Sequence, residues 1–226
     1  AAGARDGRGS LAAPRNNLAA AISQANGTPD TNVCIIGADT FTENLTIPQS
    51  GTNLEILGGF DNLGQVSTDR PVIQATSTIG LDFQAYSTVR LFHLEIRPDS
   101  GGQTTVNIEG ASPVLDDCIL RMPQGPDATG VLVTAPDGET ARPLITGSQI
   151  LNNFGDPSTD SGTGLWAKHT GSGLVAPTLR DSSVQVYNCH GDCRGVHIER
   201  GCSADLLDNP EIRTQSQDAV GVGIDL

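Results

Sequence analysis

Four residues in one stretch have the chemistry of metal ligands or of a disulfide. Cys189, Cys193, His197 and Cys202 are spaced C-x3-C-x3-H-x4-C. Thiolates and an imidazole form a tetrahedral zinc set, and the spacing is one residue away from C-x2-C-x4-H-x4-C. It lacks the tight C-x2-C turn. Val196 and Ile198 alternate toward a core, which turns His197 outward. The sequence therefore predicts a disulfide within the trio Cys189, Cys193 and Cys202, with zinc as the competing reading. At least one of the five cysteines stays unpaired, because five is odd.

Three other groups carry candidate chemistry. Asp116-Asp117-Cys118 places two carboxylates side by side, the residue type used for glycosidic acid/base work. Asp156 and Asp160, in GDPSTDSG, offer hard oxygen ligands that would suit Ca²⁺, but their spacing matches no full calcium motif, so an exposed Asp-rich turn with no cofactor is the expectation. Trp166 faces outward if Leu165 and Ala167 face inward, an orientation that suits stacking on a sugar as well as packing under a loop. His169 lies in the turn after it.

The elements that position these residues repeat. A first half-motif recurs as GLDF (Leu81, Phe83), TVNI (Val106, Ile108), GVLV (Val131, Val133), GLWA (Leu165, Ala167), GVHI (Val196, Ile198) and GVGI (Val222, Ile224). A second recurs as LFHLEI (Leu91 to Ile96), LDDCIL (Leu115 to Leu120), ITGSQI (Ile145 to Ile150), LRDSSV (Leu179 to Val184) and LDNPEI (Leu207 to Ile212). The halves alternate, and copies lie roughly 24 to 34 residues apart, the period of stacked repeats.

In the second half the first and sixth residues are aliphatic. One straight strand cannot bury both on a single face, so the unit must bend between them. The third position holds His93, Asp117, Gly147, Asp181 and Asn209, types suited to a corner. The fourth is mostly small: Leu94, Cys118, Ser148, Ser182 and Pro210. Stacked units bury a core that none could bury alone. Leu115, Ile145, Leu179 and Leu207 are predicted to form one column, and Leu120, Ile150, Val184 and Ile212 another. The long inter-strand loops, Pro123 to Thr129, Asn152 to Thr163 and Tyr187 to Arg194, follow the second half-motif each time and should project from one edge.

This pattern, over about Val33 to Leu226, resembles the right-handed parallel β-helix of the pectin-lyase-like fold. The run CIIGADTFTENLTIPQSGTNLEILGGFD is similar to the opening of exported bacterial surface β-helix proteins. The resemblance implies an all-β solenoid. The DDC run is also similar to the paired aspartates of polygalacturonases, which share that fold, but their Asn-Thr-Asp, Gly-His-Gly and Arg-Ile-Lys phrases do not occur here. The repeat reads LDDC as a corner equivalent to LRDS and LDNP.

The expected organisation is a flexible leader over 1–16 and a single domain over 17–226. The domain opens with a capping helix over 17–25, in which Asn16 or Asn17 caps a stripe of Leu18, Ala21, Ile22 and Ala25. Thr42-Glu43-Asn44 reads as a turn, and Asn44-Leu45-Thr46 is a formal glycosylation sequon. A net charge of −13 disfavours nucleic acid and anionic membrane surfaces, and no apolar run approaches a membrane span. The five cysteines point to an oxidising, extracellular or cell-surface setting. GVGIDL at the C-terminus shows no capping element, which predicts either further chain or self-association of an open strand edge, by a heterologous contact that builds filaments. The functional expectation is an exported, non-enzymatic β-helix with a surface, adhesive or filament-forming role. The alternatives are a polysaccharide lyase or glycoside hydrolase, or a carbohydrate-binding module with glycan partners.

Overall fold

A computed structural model describes residues 17–26, 32–36, 39–47, 54–60, 67–98, 101–152, 161–208, 210–216 and 221–226. The leader, and with it the proposed calcium loop of Asp156 and Asp160, lies outside these residues. The described chain is all-β apart from one helix, Leu18–Asn26. Its strands form three seven-stranded parallel sheets and one two-stranded sheet.

The chain visits the three large sheets in fixed rotation. One circuit runs through Val114–Asp116 of the first sheet, Ile119–Arg121 of the second and Ala128–Thr134 of the third. The next circuit repeats this with Leu144–Thr146, Gln149–Leu151 and Gly162–Lys168, each strand lying parallel to its predecessor. Pairing thus joins equivalent residues of successive circuits, as the repeat predicts.

The second predicted column forms, and the first forms except for Leu207. On the first sheet Leu91, Leu115, Ile145 and Leu179 are in register and fully buried. On the second, Leu120, Ile150, Val184 and Ile212 are in register. On the third, Leu81, Val106, Val131, Leu165 and Val196 stack with no exposure above 1%. Burying such a side chain contributes about 1.5–3 kcal/mol, so the continuous interior is the main source of stability.

The corner between first and second sheets is a one-residue left-handed bend. His93, Asp117, Gly147 and Asp181 adopt φ of 57°, 52°, 57° and 45°, the conformation that short polar residues and glycine tolerate. The last circuit departs from the expectation. Leu206, not Leu207, pairs with Leu179, and Asp208 takes a bend at φ 58°, while Asn209, expected at the corner, lies outside the described residues. The reason is an inserted residue: Leu179 to Val184 spans five positions and Leu206 to Ile212 spans six. Leu207 is turned outward and 39% exposed. The final first-half repeat is shifted as well, with Ile224 on Val196 and Val222 beside Arg194.

The glycine that opens the first half-motif is set by close packing at the corner into the third sheet. A Cβ on Gly130 would lie 2.5 Å from the carbonyl oxygen of Gly164, one on Gly164 2.6 Å from that of Gly195, and one on Gly195 2.6 Å from that of Gly223. Thr105 stands in the equivalent place of TVNI, its hydroxyl donating to the Arg121 carbonyl at 2.6 Å.

The helix forms where expected, shifted by one residue. Asn17 Oδ1 accepts from the Ala20 amide at 2.6 Å, and Leu18 and Ile22 are buried against the core. Glu43, read from sequence as part of a turn, also caps it. Its two carboxylate oxygens accept from the Leu18 and Ala19 amides, each at 2.8 Å. These are first-turn donors with no partner inside the helix, and a negative charge there is favoured by the helix dipole. Asn44 Oδ1 accepts from the Thr76 amide at 2.9 Å, so both acidic and amide residues of the phrase tie neighbouring segments together.

Candidate functional site

The paired aspartates sit at the bend and point to different partners. Asp116 faces outward from the first sheet and pairs with Arg90 at 2.5 Å, whose guanidinium also lies over the Phe92 ring at 5.4 Å. Asp117 Oδ1 pairs with Arg70 Nη2 at 2.7 Å, and its Oδ2 lies 2.6 Å from His93 Nδ1. Arg70 donates in addition to the Asp117 carbonyl oxygen. Burial pushes the Asp117 carboxyl up, but the hydrogen bonds from Arg70 and His93 outweigh it and hold the group below the usual carboxylate range.

His93 itself is 6% exposed, and its Nε2 has no hydrogen-bond partner among the described residues. The imidazole packs on Gly59 (φ 72°), where a side chain would collide with it. Gly59 of LEILGGF thus makes room for a histidine from the following circuit, and Gly58 for the Leu94 side chain beside it. Beneath the bend, Ser148 Oγ accepts from the Cys118 amide at 2.9 Å, and Ser182 Oγ from the Ser148 amide at 3.1 Å. Cys118 continues this inner row, and burial pushes its thiol up to about 12, which makes it an inert core thiol. Further along the corner a shallow depression of about 370 Å³ is lined by Gly147, Gln149, Asp181, Asp208 and Glu211 among others.

The trio of cysteines resolves into Cys189–Cys193, with S–S 2.08 Å and Cα–Cα 5.7 Å. Cys202 is a free, half-buried thiol. The disulfide takes two of the four ligands that the zinc reading requires. No group of three or more His, Cys, Asp or Glu side chains placed to hold a metal occurs among the described residues. Strands Ser183–Cys189 and Cys193–Ile198 run into the expected loop from both sides, and the bridge closes the short link between them. Next to it Asn152 acts as a surrogate strand residue: its Oδ1 accepts from the Tyr187 amide at 2.8 Å and its Nδ2 donates to the Tyr187 carbonyl.

Trp166 is on the outer face of the third sheet, as the alternation predicts. It stands in an outward row with Asn107, Leu132, His197 and Asp225. Its indole Nε1–H donates to Glu199 Oε1 at 3.0 Å, and Glu199 Oε2 accepts from the His169 amide at 3.1 Å. The Lys168 ammonium lies 4.7 Å from the ring centroid. The His197 ring lies T-shaped to the indole at 5.8 Å between centroids, while its Nδ1 lies 2.7 Å from Asp225 Oδ2. Arg194 Nε reaches the same oxygen at 3.2 Å. His197 therefore belongs to this outward row and not to a cysteine cluster.

Sequence reasoning missed Arg70, Glu43, Glu199 and His93 as members of these groups. Their partners lie in other circuits, and only His93 has a signal in the repeat, holding the corner position equivalent to Asp117 one circuit earlier. No protein-family model, curated protein or solved structure matches the chain.

Proposed function

We infer that the chain is an exported, non-catalytic right-handed parallel β-helix, of the pectin-lyase-like kind, with a structural and adhesive role at a cell surface. The rotation through three parallel sheets supports the architecture. The observation that carries the functional reading is the commitment of the acidic pair. Each of Asp116 and Asp117 is bound to an arginine, and Asp117 also to His93. A glycosidase needs one carboxyl held protonated near neutral pH and a second free to attack or to activate water. Asp117 is shifted the opposite way. The Cys189–Cys193 bridge supports an oxidising compartment.

The test is incubation with a panel of neutral and acidic polysaccharides, reading reducing ends and unsaturated products. The expected result is no turnover by the chain or by Asp117→Asn. Turnover that Asp117→Asn abolishes would establish a carbohydrate-active enzyme instead.

A further inference from the structure

We propose that the outer face of the third sheet around Trp166 binds a neutral polysaccharide chain, laid across the strands. This deepens the adhesive reading above and rests on it.

The indole is pre-set. Its N–H is fixed by Glu199 and the ring is flanked by His197, while Leu165 and Ala167, fully buried on the other side of the strand, hold the backbone against the core. A ligand therefore meets a ring that is already oriented and loses little freedom in orienting it. The ring face attracts positive charge, as the Lys168 ammonium 4.7 Å from its centroid demonstrates. The C–H face of a pyranose carries the same partial positive sign and also offers apolar area, and the flexible lysine stem can swing aside to admit it.

Charge selects among glycans. Around Trp166 Arg194 is paired with Asp225 and Asp192, Glu199 accepts from the indole, and the remaining cation, Lys168, lies over the ring. The patch has no surplus cation for uronate or sulfate groups, in a chain whose net charge is −13. Its hydrogen-bonding groups suit hydroxyls. Adjacent strands lie about 4.8 Å apart, close to the advance per ring of an extended pyranose chain, so successive sugars fall near successive circuits.

Trp166 is the only tryptophan in the chain, so its fluorescence reports on this face alone. The whole protein would be titrated with cellohexaose, xylohexaose, mannohexaose, the hexamer of N-acetylglucosamine and hexagalacturonate, with calorimetry in parallel for the variants. At least one neutral hexamer should shift the emission saturably. Its affinity should fall about tenfold or more in Trp166→Ala and less in Trp166→Tyr, which keeps an aromatic face should the alanine variant fold poorly. Asp117→Asn should bind as the parent does. The proposal is overturned if no neutral hexamer binds, if hexagalacturonate alone binds, or if Trp166→Ala and Trp166→Tyr both bind like the parent. Failure here leaves the non-catalytic reading standing, whereas cleavage of any of these glycans would remove that reading without touching the binding result.

Discussion

The bend between the first and second sheets and the outer face of the third sheet hold similar residues in opposite states. Both have a histidine next to an aspartate: His93 with Asp117 at 2.6 Å, and His197 with Asp225 at 2.7 Å. At the bend the histidine side chain is 8% exposed and wedged against Gly59, with a guanidinium paired to the carboxylate. On the outer face the histidine is 19% exposed and borders a tryptophan. The first arrangement fastens circuits together. The second leaves polar and aromatic groups partly open to solvent. The same residue pair is architectural or available according to what covers it, which motif-matching on residue type alone does not distinguish.

The contrast is sharpest if the interior columns beneath both regions dominate stability. Ile145 is fully buried between Leu115 and Leu179. Ile145→Asp places an unpaired carboxylate there and should cost about 3 kcal/mol or more, enough to leave the chain unfolded by circular dichroism at 25 °C. A cooperative, native-like melt in this variant would contradict the shared-core account.

Second in size is the bridge at the entrance to the third sheet. Cys189 and Cys193 are four residues apart, and closing so short a loop restricts the unfolded chain by about 2 kcal/mol. Replacing both with alanine should lower denaturant stability by about that amount, with a further loss from the cavity left by two buried sulfurs. Reduction of the parent should reproduce only part of it, since the thiols still fill the space.

Much of this contrast was legible in the sequence and part was not. Alternation of apolar residues found the columns, because burial on one face leaves a local, periodic trace. Residue type found the bend at Asp117, Gly147 and Asp181. The extra residue in the last circuit was hidden because Leu206 and Leu207 are adjacent leucines, and either satisfies the pattern. The disulfide trio was visible, but the pair within it depended on which residues enter the strands. The partners of Asp117 were not legible: Arg70 is 47 positions away, in a segment outside the repeat. Trp166 could be placed outward, yet the lysine and glutamate that dress it could not be read from alternation alone.

The next prediction tests whether the bend is structural. Asp117→Asn keeps an oxygen for His93 and removes the charge facing Arg70. With the Asp117 side chain 38% exposed, the loss should be about 1 kcal/mol or less. The pH dependence has a definite sign. The folded carboxyl is held below its unfolded value, so its stabilisation is complete above the ordinary carboxylate range, near 4. It is lost as pH falls through the depressed folded value. The parent and Asp117→Asn should therefore converge in stability under strongly acid conditions. Equal pH profiles for the two proteins would show that the clasp contributes nothing.

The smallest effect is expected at Lys168, and it separates the two regions most directly. Its ammonium over Trp166 is a surface cation–π contact worth about 0.5–1 kcal/mol, and half-exposed lysines recover hydration when the contact breaks. Lys168→Ala should then change unfolding stability by less than about 1 kcal/mol, well below the core and disulfide variants. It should nevertheless alter the emission of the single tryptophan, because the cation and its stem leave the ring face to water. Lys168→Met separates the two contributions: it keeps an apolar stem over the ring but not the charge. If packing dominates, its emission should resemble the parent, and if charge dominates, the alanine variant. A large destabilisation by either substitution would mean that Lys168 is a structural fastener like Arg70, and the outer face of the third sheet would then lose its distinction from the bend.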